Sequence, residues 1–213
     1  MESREFSHIV LAILVLSAVQ GFAFVIESDW SMFAVIFAFS AITIIVSIVA
    51  KKLTAYSLDA DVEHEIWGVQ HIGFSKSSKL KQPIPAGFIF PIFFSIFSLG
   101  IVKLSSILTY EARALKYRAS KRFGPSSYTE MTEWHNALIG AGGVVALIFA
   151  AVVFYFVPSS NLEILSKVML YYAFWNLIPI SKLDGAQIFF GSRIMWTVLA
   201  SVTAVLCFFV LTV

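Results

Sequence analysis

Six long apolar runs alternate with shorter polar stretches along this chain, at 9–26, 32–50, 84–102, 137–157, 164–180 and 194–213. A helix needs about 20 predominantly apolar residues to cross the roughly 30 Å hydrocarbon core of a bilayer. Five of the runs meet or approach that length. The run 84–102 is long enough but carries Pro85, Gly87, Pro91 and Gly100. Proline removes a backbone donor and bends a helix, and lipid offers no partner to the carbonyls it frees. This run therefore crosses as a broken helix, or dips into the membrane and returns. The pattern predicts an all-α, polytopic helical bundle of five to six transmembrane segments, forming a single integral membrane domain over 1–213.

Two polar stretches carry patterns of their own. In 59–67, Asp61, Glu63, Glu65 and Trp67 alternate with Val62, His64 and Ile66. Period-two alternation predicts a half-buried strand at the membrane edge. The stretch 111–122 is rich in helix formers and basic on one side, with Tyr110 and Tyr117 near it. That pattern predicts a helix resting on an anionic lipid surface, closed by a turn at 123–127.

Composition agrees with the pattern. Apolar residues make up 59% of the chain and charged residues 13%, against roughly 25% charged in an ordinary globular domain. The net charge of +2 gives no reason to expect a nucleic-acid partner. The single cysteine, Cys207, excludes a disulfide framework. Glu2, Arg4 and Glu5 make the N-terminus unlike a signal peptide, and no small-x-small cleavage site follows.

Charge also bears on topology, because cytoplasmic loops carry excess Lys and Arg. If 84–102 crosses once, the basic stretches around Lys76 and Lys121 face opposite sides. If it is re-entrant, the N-terminus and every basic residue except Lys103 and Lys167 lie inside. The re-entrant reading is favoured. It gives a multi-pass protein of the cell membrane with Lys76 and Lys121 both cytoplasmic.

Chemistry concentrates at Asn176-Leu-Ile-Pro179-Ile-Ser-Lys182-Leu-Asp184-Gly185. A membrane run meets proline and then delivers one carboxylate followed by glycine. An ionisable group beside a broken membrane helix is a functional candidate. The plainer alternative is a helix end with Lys182 and Asp184 in water. This pattern resembles the signature of the site-2 protease family of intramembrane zinc metalloproteases, whose Leu-Asp-Gly aspartate is the third zinc ligand. The small-residue segment 136–143, with Gly140, Gly142 and Gly143, is similar to the one preceding that family's middle core helix. The strand 61–67 resembles its edge strand. The likeness spans roughly residues 40–195 and implies a site-2-protease-like core.

One departure is severe. Active members carry His-Glu-x-x-His on the helix before that strand, two histidines on one helical face with a glutamate as general base. Here Ser47 and Lys51 stand at the ligand positions and Ile48 at the base, and no His-x-x-x-His pair occurs anywhere. A neutral serine is a poor ligand, a protonated lysine repels a metal, and catalytic zinc needs three protein ligands. The resemblance therefore implies a site of Asp184, Asn176, Pro179 and Gly185 with no catalytic residue and no cofactor. It also implies a contact between Lys51 and Asp184, since active relatives bring those two positions onto one ion. As a basic flank ending the second run, Lys51 would need no such partner.

A relocated zinc site would draw on His64, His71 and Asp184, with Glu65 as base. The alternative for these histidines, and for His8 and His135, is an interfacial or structural role. Phe88, Phe90, Phe93, Phe94 and Phe97 read as bundle packing. The expected function is a non-catalytic binder or regulator of other membrane segments, its partners being lipid and other transmembrane helices or membrane proteins. Two rivals stand beside it: an active zinc metalloprotease with displaced ligands, and a transporter or scaffold subunit of a membrane complex.

Overall fold

The computed structural model describes residues 2–71, 79–115 and 131–212. Helix α1 (Glu2–Gln20) is followed by the single turn and a half of α2 (Phe22–Ile26). The break falls at Gly21, where an added Cβ would meet the Phe33 ring at 2.7 Å. The Asp29 carboxylate accepts from the Met32 amide at 3.1 Å and starts α3 (Trp30–Ser57). A side-chain cap of this kind satisfies one of the open amides that every helix start presents. Strands β1 (Ala60–Ile66), β2 (Val69–His71) and β3 (Lys79–Ile84), helix α4 (Ala86–Phe97) and strand β4 (Leu108–Ala114) follow. Four helices complete the chain: α5 (Glu133–Tyr155), α6 (Ser160–Asn176), α7 (Asp184–Gly191) and α8 (Arg193–Thr212).

The protein is thus mostly helical, and α3, α5 and α8 are each long and apolar enough to cross a membrane. Helix α5 is central, packing against α3, α6 and α7. Between helices in lipid there is no hydrophobic drive, and close approach through small residues holds such contacts. Gly142 and Gly143 do so directly: a Cβ at Gly142 would collide with the Thr54 hydroxyl, and one at Gly143 with the Lys51 stem.

The strand expected at 61–67 is β1, and its burial alternates as the pattern requires, with Ala60, Val62 and His64 inward. Trp67 breaks the alternation. Its amide donates to the Ile107 carbonyl at 2.8 Å, and its buried ring packs with Ala86 and Leu183. The helix expected over 111–122 is not there where the structure describes it: Leu108–Ala114 is a strand, paired antiparallel with β1 in the register His64 opposite Tyr110. Residues 116–122 and the turn at 123–127 lie outside the described residues. The helix-forming composition of Glu-Ala-Arg-Ala is overridden by a partner strand about 50 residues away, which no local propensity reports. A second two-stranded sheet, β2 with β3, stands beside the edge strand in an otherwise mostly helical fold.

Two other boundaries move. The run 84–102 contains α4, whose 12 residues make about 18 Å of helix, well short of a bilayer. The run 164–180 is helical only to Asn176, because the residue before Pro179 is pushed out of helical geometry.

Both free edges of the β1–β4 sheet are capped in the middle. The His64 amide, pointing away from β4, donates to the Glu5 carboxylate at 3.3 Å. The Tyr110 carbonyl, pointing away from β1, accepts from Gln187 Nε2 at 3.1 Å. Occupied edges do not recruit stray strands.

Candidate functional site

Successive steps of three or four residues put Ser40, Thr43, Ser47 and Lys51 on one buried face of α3. Lys51 is the last of them. Its stem crosses α5 at Gly143, where a Cβ would lie 2.7 Å from Lys51 Cε. Its ammonium meets Asp184 Oδ2 at 2.5 Å, and both side chains are 2% exposed. The Tyr110 ring lies over the same ammonium, 5.0 Å from Nζ to the centroid, within reach of a cation–π attraction. Tyr110 in turn donates from its hydroxyl to the Asn136 carbonyl at 2.5 Å, and Gly140 leaves the room it needs. Gly140 and Gly143, one helical turn apart on α5, therefore accommodate Tyr110 and Lys51 respectively.

Asp184 reaches this point because the chain turns sharply after α6. Leu177 and Leu183 are buried at the two ends of the turn, while residues 179–182 between them are exposed. Asp184 opens α7, where the first turn of a helix favours a carboxylate. Gly185 packs directly on the Leu177 carbonyl. Asn176, on the last turn of α6, donates from Nδ2 to the Tyr172 carbonyl at 2.8 Å. Its Oδ1 and the second carboxylate oxygen of Asp184 are buried without a partner among the described residues.

The structure thus brings Lys51 and Asp184 into contact, with Asn176 and Gly185 on the adjoining turns. Ser47 and Ile48 are buried one turn away on α3, and Pro179 lies at the exposed turn. Of the set His64, His71 and Asp184, the two members whose side chains are described make separate contacts, Asp184 with Lys51 and His64 with Glu5. His64 Nδ1 faces Glu5 Oε1 at 3.1 Å, and Lys52 Nζ meets the same oxygen at 2.9 Å. Burial, assisted by the Lys51 charge, pushes the His64 imidazole down to about 4, so it is neutral at pH 7. The His71 side chain lies outside the described set, and Glu65 is exposed. His135 completes the cap of α5 with Thr132, and Nδ1 of His8, near the start of α1, is buried without a partner among the described residues. Among the described residues, no three His, Cys, Asp or Glu side chains are placed to share a metal ion. Of the phenylalanines expected to pack the bundle, Phe88, Phe90, Phe93, Phe94 and Phe97 are all exposed on α4 instead; a short apolar helix turns them outward.

Tyr110 and Glu5 are the participants that sequence reasoning missed. Tyr110 was visible only as a residue beside a supposed helix, and nothing local ties Glu5 to a strand about 60 residues away. Two cavities lie on the outer side of the site, of about 390 Å³ and 680 Å³, and Glu111, Ser181 and Lys182 line both. No family model, curated protein or solved structure matches this chain.

Proposed function

We propose that this chain is a catalytically silent membrane protein of site-2-protease-like plan that binds other membrane segments in the groove beside Asp184. The observation that carries the reading is the buried Lys51–Asp184 pair. It joins the position of the second histidine in the active relatives' helix motif to the position of their aspartate ligand. An ammonium there supplies the positive charge a carboxylate needs at depth. The same ammonium takes the space and repels the charge of a divalent ion, and Ser47 adds no strong ligand, so the residues present do not fit catalytic zinc. Purified protein is expected to hold well under one zinc per chain, and Asp184→Ala should leave that content unchanged. Stoichiometric zinc that disappears on changing His64 or His71 would instead establish a metalloprotease with displaced ligands.

For topology, we infer that α1 and α6 cross the membrane with α3, α5 and α8, and that the segment between β1 and β4 leaves and returns on one side. Pairing of the two strands supports this, as does the shortness of α4. The positive-inside bias makes that side cytoplasmic. Lys76 and Lys121 fall outside the described residues, so Asp61, Arg113 and Glu133 serve as reporters. In a Cys207→Ser background, single cysteines at all three should react with an impermeant thiol reagent only from the cytoplasmic side. Reaction of any one of them from the other side would refute the arrangement.

A further inference from the structure

The two cavities near the start of α7 share Ser181 and Lys182, from the exposed turn of residues 179–182, and Glu111 of β4. The ends of that turn are fixed. Leu177 is buried, and its carbonyl accepts from Trp196 Nε1 at 2.8 Å. Leu183 is buried against Trp67 and Ala86. Between these anchors, among the described residues, Lys182 holds the turn to β4 and α7. Its carbonyl accepts from Thr109 Oγ1 at 2.5 Å and from Gln187 Nε2 at 3.2 Å, and its ammonium meets Glu111 Oε1 at 3.1 Å. Gln187 simultaneously donates to the Tyr110 carbonyl on the free edge of β4 at 3.1 Å. Ser181, next to this residue, has φ of +55°, a conformation that a residue with a side chain keeps only where its surroundings impose it.

We propose that residues 179–182 form a strap, latched to β4 through Lys182, that divides one continuous groove and governs access to the face of α7 behind it. Gln187 is the centre of the latch, since the same amide group closes the strand edge and holds the strap. Release of Lys182 lets Ser181 relax, joins the two cavities and uncovers Ala186, which is 2% exposed and lines the smaller cavity. The three fastenings differ in strength. The Thr109 hydrogen bond to the Lys182 carbonyl lies partly out of water, whereas the Gln187 bond to it is exposed, as are Lys182 and Glu111, at 60% and 42%, and exposed ion pairs contribute little. The strap's role as a gate rests on the reading of this groove as a binding surface. Its latching is a property of the free protein and is tested without a partner or a metal measurement.

The test is the rate at which a small water-soluble thiol reagent modifies Ala186→Cys in a Cys207→Ser background. Adding Thr109→Val should raise that rate about 3- to 10-fold, as loss of a partly buried hydrogen bond allows, and Gln187→Leu, which removes an exposed bond to the strap together with a partly buried one to the Tyr110 carbonyl, should raise it as well. Glu111→Gln should raise it no more than about 3-fold. Glu63→Gln, which removes the neighbouring 3.4 Å contact of Arg113 on the same sheet, should leave it unchanged. Unfolding midpoints of all variants are recorded alongside, and should Gln187→Leu fail to fold, Thr109→Val carries the same prediction. Unchanged rates in both, or an equal rise with Glu63→Gln, would overturn the latch.

Discussion

Lys51→Met is expected to destabilise the protein by about 3–5 kcal/mol, and adding Asp184→Asn to recover most of that loss. The first figure follows from stranding a carboxylate where a cation stood, the usual cost of removing one member of a buried pair. Asp184 is 2% exposed, and its other oxygen has no partner among the described residues. Recovery follows from the same physics: once neither side chain is ionised, the desolvation cost of both charges disappears. Asp184→Asn alone should also be costly, because it removes the counter-charge of the buried Lys51 ammonium, for which a neutral carboxamide and the Tyr110 ring at 5.0 Å only partly substitute. The measurement is a double-mutant cycle of unfolding in detergent or bicelles. Residues in direct contact should show coupling well above the few tenths of a kcal/mol seen for independent sites. Additive effects would mean that Lys51 is only the basic flank of its helix, and would remove the main support for the proposed function.

The parts of this site that were legible in the sequence are those set by spacing along one helix or by backbone-breaking residues. Lys51 lies four residues after Ser47, and the turn from Asn176 to Gly185 is dictated by Pro179. Helix content follows from apolar runs, although a run measures hydrophobicity and not helical hydrogen bonding. Hence α3 outlasts its run by seven residues, to Ser57, and α6 stops before its run ends. What was not legible depends on distant partners. Leu108–Ala114 carries residues that suit a helix and becomes a strand because β1 offers it a ladder. Tyr110 arrives over Lys51 only through that pairing. The caps on the sheet edges, from Glu5 and Gln187, join elements separated by 59 and 77 residues, which no local pattern can announce. The charge pair was reachable because a resemblance supplied long-range information that spacing lacks, two positions that meet in active site-2 proteases.

Gly185→Ala is expected to destabilise by about 3 kcal/mol or more, although alanine is the better helix former. At an exposed helical position the exchange would stabilise by about 1 kcal/mol on propensity alone, so the sign here tests the packing. An added Cβ would run into the carbonyl carbon and oxygen of Leu177 and lie 2.8 Å from the Ile178 carbonyl oxygen. Those atoms cannot easily retreat. The Leu177 carbonyl holds the Trp196 indole at 2.8 Å, and the Leu177 side chain is buried against Ala141, Val144 and Ile188. Relief must therefore come from shifting α7, which carries Asp184 as its first residue. Overpacking of this kind costs about 1–3 kcal/mol by itself, and displacement of Asp184 adds part of the loss expected for the broken ion pair. Two measurements separate these contributions. Unfolding of Gly185→Ala should show the large loss, while Gly68→Ala, where the added carbon comes no nearer than 3.2 Å to Pro83 Cβ, should cost under about 1 kcal/mol. Repeating the Lys51 and Asp184 cycle in the Gly185→Ala background should then show the coupling much reduced. A Gly185→Ala protein as stable as the parent would mean that the Leu177 turn yields freely, and the glycine after Asp184 would then need an explanation other than close packing.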